Sequence, residues 1–110
     1  MWLYVMDAWV SDPAVLVDRK ALRAALFEAA CAGGAQVVGE AFHVFPNGAV
    51  TGVLVLAQSH LSIHTWPETA MANVDLLTYG PVDGERVLAV VEQRLGVRRS
   101  AVDVLERGAR

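Results

Sequence analysis

Apolar and polar positions alternate from Trp2 to Val10, with Leu3, Val5 and Trp9 on one side and Tyr4, Met6 and Ala8 on the other. That period of two predicts a strand, and Asp7 is a carboxylate set into it. Ser11-Asp12-Pro13 supplies turn and helix-start chemistry. Leu16, Leu22, Leu26 and Ala30 then recur at helical spacing, which predicts one helix ended by Gly33-Gly34. A second strand is expected from about Gln36 to Phe45, closed by the turn Pro46-Asn47-Gly48. Val50 to Ala57 is so evenly apolar that it reads as an interior strand covered on both faces. From Ser59 to Thr65 the alternation returns, Leu61 and Ile63 against His60, Ser62 and His64, with Ser59 entering beside the polar set. Trp66-Pro67 ends that segment, and Val74 to Tyr79 reads as another strand. Pro81-Val82-Asp83 leads into a helix with Val87, Leu88, Val91 and Leu95 on one face and Gly96 at its end, and Ala101 to Leu105 is a short final strand. The order strand, helix, three or four strands, helix, strand predicts an α+β fold, a two-layer sandwich of an antiparallel sheet with two helices.

A chain of 110 residues is expected to form one domain, residues 1–110. Hydrophobic residues make up 55% and charged ones only 19%. So little polar surface suits an oligomer better than a monomer of this size. The formal charge of −3, without a basic stripe, argues against nucleic acid and anionic membranes as partners. Apolar runs such as Val53 to Ala57 are far shorter than a membrane span, and no charged region precedes an apolar one at the N-terminus, so a cytoplasmic protein is expected. Cys31, the single cysteine, sits among alanines and reads as a small core residue. His43, like Asp7, is polar within an apolar strand, which is costly unless it is partnered.

Residues 57–68, Ala-Gln-Ser-His-Leu-Ser-Ile-His-Thr-Trp-Pro-Glu, concentrate a serine, two histidines and a carboxylate in one strand and its exit. Spacing alone also fits an ordinary polar strand face. The stretch closely resembles, however, the processing site of the prokaryotic S-adenosylmethionine decarboxylases, pyruvoyl enzymes whose usual text is Glu-Ser-His-Leu-(Thr/Ser)-Ile-His-Thr-Trp-Pro-Glu. The resemblance continues through Ala41-Phe42-His43-Val44-Phe45, Val50-Thr51-Gly52-Val53-Leu54-Val55 and Val74-Asp75-Leu76-Leu77-Thr78-Tyr79-Gly80, and through the opening strand with Ser11-Asp12. It implies a homodimer with that family's fold. It also implies self-cleavage between Gln58 and Ser59 into a β chain, 1–58, and an α chain, 59–110, whose N-terminal Ser59 becomes the pyruvoyl cofactor. Thr51 would polarise the developing oxyanion and His64 would take the Ser59 α-proton. Thr51 stands where the family usually has serine, and Gln58 where it has glutamate.

In the mature protein the pyruvoyl group would serve as electron sink for loss of carbon dioxide from a small substrate, with no metal required. The family's proton donor is the cysteine of Thr-Cys-Gly, and this chain has Thr78-Tyr79-Gly80. A phenol is a weaker acid than a thiol but carries its proton near neutral pH, so Tyr79 is the candidate donor. The bulk of its ring also takes space from a substrate. The resemblance makes Glu68 a candidate ligand to a ribose and Phe45 a surface for adenine and a sulfonium charge, and Asp7 is a further pocket candidate. Two alternatives stand beside S-adenosylmethionine decarboxylation. One is a decarboxylase of the same family with another substrate, such as ornithine or arginine, which Tyr79 and Gln58 favour. The other is an uncleaved, non-catalytic partner, which the retention of Ser59, His60 and His64 disfavours.

Overall fold

A computed structural model of the protein describes residues 1–108. Strands β1 (Trp2–Val10), β2 (Val37–Val44), β3 (Val50–Leu56), β4 (Ser59–Trp66), β5 (Met71–Thr78) and β6 (Val97–Glu106) form one antiparallel sheet in the order β2-β3-β4-β5-β1-β6. Helices α1 (Arg19–Ala32) and α2 (Gly84–Leu95) complete the expected two-layer α+β sandwich. Each helix starts at an aspartate whose side chain accepts from a backbone N–H of its first turn, Asp18 from Ala21 and Asp83 from Arg86. Gly96 ends α2 in the left-handed conformation, φ 67°.

Both helices cover the same face of the sheet. Leu22, Leu26, Ala29 and Ala30 of α1 and Val87, Leu88 and Val91 of α2 join the inward residues Met6, Ala8, Leu54, Leu61, Ile63, Val74 and Leu76 in one core. Gly52 belongs to this layer because the ring of Phe42 lies across it. A Cβ there would come within 2.3 Å of the ring.

Several elements differ from the sequence expectation. The first helix is two: a 3-10 turn, Pro13–Val17, stops at Asp18, whose side chain then caps α1. The turn is tied to the sheet by Thr65, buried, whose hydroxyl accepts from Val50 N at 2.8 Å and donates to Leu16 O at 2.8 Å. Val50–Leu56 is covered on one face only, and Val55 on the other is 47% exposed. Its apolar run therefore reports an unpartnered face and not a second layer within this chain. The fifth strand begins at Met71 and ends at Thr78, and the last is ten residues long because it pairs with all of β1. Cys31 is exposed, since the buried stripe of α1 runs through Ala29 and Ala30. No helix among the described residues is long and apolar enough to cross a membrane.

Candidate active site

Strand alternation turns a set of polar side chains onto the open face of the sheet. Ladder pairing aligns His43, Thr51, His64, Asn73 and Asp7 in one row across β2, β3, β4, β5 and β1. Within it the Thr51 hydroxyl and His64 Nδ1 are 3.0 Å apart. The other ring nitrogen of His64 is free of that contact. The ring of His43 meets that of Phe45 edge-on, with centroids 4.7 Å apart.

At this end of the sheet a cavity of about 360 Å³ is lined by Thr51, His64, Phe45, Trp66 and Glu68, among others. Phe45 is 44% exposed and so is not a core residue. Glu68 is exposed in the 3-10 turn Pro67–Thr69 that follows β4, so the sequence Trp-Pro-Glu brings the carboxylate round to the cavity rim. Asp7 does not line the cavity. Its carboxylate accepts from Asn73 Nδ2 at 2.7 Å, and Asn73 Oδ1 accepts from Trp66 Nε1 at 2.6 Å. Asn73 does not stand out in the sequence because the strand expected from Val74 leaves it outside, whereas the observed strand begins at Met71. The register that sets it beside His64 and Asp7 becomes visible only when the sheet is assembled.

Ser59 lies at the opposite end of β4. Five residues of extended chain at about 3.3 Å each separate it from His64 by roughly 16 Å. It takes the inward parity of Leu61 and Ile63 and not that of His60 and His64, and its hydroxyl donates to the Leu77 carbonyl. The residue before it, Gln58, is the second of a two-residue turn between β3 and β4 and is held at φ 59°. That region is uncommon for a residue with a Cβ. Gln58, Ser59 and Tyr79 line a second cavity, of about 270 Å³, closed by Gln36, Pro81 and Val82. Tyr79 is 51% exposed just past the end of β5, so its phenol is accessible from that cavity. The site residues thus form two groups: Gln58, Ser59 and Tyr79 at one end of the sheet, and Thr51, His64, Phe45 and Glu68 at the other. No group of three or more His, Cys, Asp or Glu among the described residues is placed to hold a metal ion.

Residues 2–108 match the family model for S-adenosylmethionine decarboxylase. Among curated relatives, an S-adenosylmethionine decarboxylase proenzyme of Pseudomonas aeruginosa is 41% identical over 92 residues, 83% of this chain and 58% of that protein. Proenzymes of Symbiobacterium thermophilum and Pyrococcus furiosus are 44% and 35% identical, over 86% and 96% of this chain and 72% and 76% of theirs. The crystal structure of the adenosylmethionine decarboxylase from Aquifex aeolicus superposes with a TM-score of 0.85 at 28% identity, covering 97% of this chain and 89% of that one. The chain spans less than two thirds of the length of the Pseudomonas relatives. By the family match, the identities and the shared fold, this chain belongs to the S-adenosylmethionine decarboxylase family.

Proposed function

We propose that the protein is a self-cleaving, pyruvoyl-dependent decarboxylase of S-adenosylmethionine, acting in polyamine synthesis as a cytoplasmic homodimer whose sites are each built from two chains. The observation that carries the cleavage reading is Gln58 at φ 59° in a tight turn directly before Ser59. The backbone at the bond to be cut is already in a disfavoured conformation, and opening that bond releases it. Ser59 leaves the Leu77 carbonyl and its hydroxyl oxygen attacks the Gln58 carbonyl carbon. The C–O bond forms and the C–N bond breaks, with the hydroxyl proton passing to the freed amino nitrogen, giving an ester. Thr51 donates to the developing oxyanion. His64 then takes the Ser59 α-proton while the ester oxygen leaves with residue 58 as a carboxylate. Water converts the remaining dehydroalanine to the ketone with loss of ammonia.

The placement of Ser59 fits such a group: it becomes a new N-terminus at a half-buried strand start that opens on a cavity. When formed, the pyruvoyl group supplies the electron sink for decarboxylation. Tyr79, beside it on the same cavity, returns a proton to Cα. Glu68 and Phe45 hold the ribose and the adenine of the substrate, and the uncleaved-partner reading has no use for any of them.

The two-chain site rests on the separation along β4, which keeps His64 from Ser59 within one copy. The open sheet face, with Val5, Val55 and Leu105 at 40%, 47% and 48% exposure, offers the apolar surface a second copy would cover. In an isologous dimer the Ser59 end of each sheet meets the His64 end of the other, twice. Intact mass spectrometry of the purified protein should give two chains, the first ending at Gln58 and the second with a blocked N-terminus. Carbon dioxide release should be highest from S-adenosylmethionine in a panel with ornithine, arginine and lysine. A single uncut mass after prolonged incubation would sink the cleavage reading, and a preference for a plain amino acid would favour the changed-substrate reading that Tyr79 motivates.

A further inference from the structure

Three side chains on the open face form a hydrogen-bonded chain that the chemistry above does not use. Asp7 on β1 accepts from the amide nitrogen of Asn73 on β5, and the amide oxygen of Asn73 accepts from the indole N–H of Trp66 at the end of β4. Because Asn73 has one donor side and one acceptor side, its amide has a single orientation that satisfies both neighbours. The carboxylate of Asp7 can only accept, so it fixes that orientation. Trp66 is 44% exposed at the strand end and lines the cavity that also takes in Phe45, His64 and Glu68. An indole this exposed would sample several rotamers without a partner. The two ion pairs among the described residues, Arg23–Glu40 and Arg94–Glu28, lie elsewhere. Arg99, on the neighbouring row, stacks on Trp9 with its guanidinium carbon 4.1 Å from the ring centroid.

We propose that Asn73, oriented by Asp7, is a positioning residue that locks the indole of Trp66 as one wall of this cavity, against which the planar part of the substrate packs. This rests on the nucleoside reading given under Proposed function. Asp7 is thereby a support two strands away from the substrate and not a ligand to it. A wall set before binding spares the rotamer ordering that binding otherwise requires, so its loss falls on KM more than on kcat.

The test uses the self-cleaved protein. Asn73→Ala should raise KM for S-adenosylmethionine about tenfold, with the larger part of the loss in KM. It should also shift the indole ¹⁵N–¹H resonance of Trp66, assigned with Trp66→Phe, and speed its exchange with solvent. Combining Asp7→Asn with Asn73→Asp reverses the first hydrogen bond and keeps an acceptor for the indole, so this pair should restore both the resonance and most of the KM. An indole resonance unmoved in Asn73→Ala, an unchanged KM, or a combined variant no better than Asn73→Ala would each overturn the inference. If the unsubstituted protein does not act on S-adenosylmethionine, the proposed activity falls separately. Adenosine affinity by calorimetry then replaces KM, and a value equal in the unsubstituted protein and Asn73→Ala overturns the inference.

Discussion

The two ends of β4 are built differently. At its start Ser59 follows a residue at φ 59°, its hydroxyl is turned to a backbone carbonyl, and its neighbour Tyr79 is half exposed. At its finish His64 stands 3.0 Å from Thr51, and on the neighbouring strand Asn73 links Trp66 to Asp7. The first end holds a serine hydroxyl bonded to a backbone carbonyl, and the second a histidine whose hydroxyl partner is Thr51 and not Ser59. An extended strand cannot fold back to bring Ser59 to His64. The comparison teaches that a serine and a histidine five residues apart in a strand are separated by about 16 Å and turned to opposite faces.

Substitutions at the two ends should therefore fail in different ways. Ser59→Ala removes the nucleophile and should abolish cleavage entirely while leaving the fold intact, so electrophoresis would show one uncut chain with an unchanged circular dichroism spectrum. Any residual cut at Gln58 in that variant would break the assignment. Tyr79→Phe keeps the ring and removes only the acid. Cleavage should be normal, while turnover falls by about 10²–10⁴-fold with KM little changed. Full turnover in Tyr79→Phe would make the residue a wall and not a donor.

The smallest effect should come from a charge at neither end. Arg23 of α1 donates to Glu40 of β2 at 2.8 Å, and that bond holds the Glu40 carboxyl below its usual range. A lowered carboxylate pKa stabilises above the unfolded-state value and is lost as pH falls through the folded-state one. Glu40→Gln should accordingly lower the urea midpoint slightly at pH 7 and match the unsubstituted protein near pH 3, with cleavage unaffected. The pair is exposed, so the shift should be small. A large shift persisting at pH 3 would contradict it.

Much of the fold was legible because local signals agreed with the global arrangement. The period-two pattern of residues 2–10 and 60–65, the helix start after Pro81-Val82-Asp83 and the glycine at the end of α2 each had a direct counterpart. The break at Asp18 was hidden because Leu16 and Leu22 keep a helical spacing across it, although they reach the core from different elements. Val50 to Leu56 misled because an apolar outward face looks the same whether covered by a helix or left for another surface. The candidate site residues came from the resemblance, but their division between two ends did not, since a motif reports order along the chain and not separation in space. The roles of Asp7 and Asn73 required cross-strand register, which no single strand carries.

The most direct test of the two-chain site is complementation between two inactive variants. Ser59→Ala supplies His64 without a nucleophile, and His64→Ala supplies Ser59 without a base. Alone, the first should stay uncut, and the second should stall at an ester that hydroxylamine opens. Unfolded together in equal amounts and refolded, about half of the His64→Ala chains should pair with a Ser59→Ala partner and cleave between Gln58 and Ser59, as intact mass spectrometry would show. A mixture in which the His64→Ala chain stays uncut, or a His64→Ala protein that cleaves at the normal rate by itself, would contradict the account.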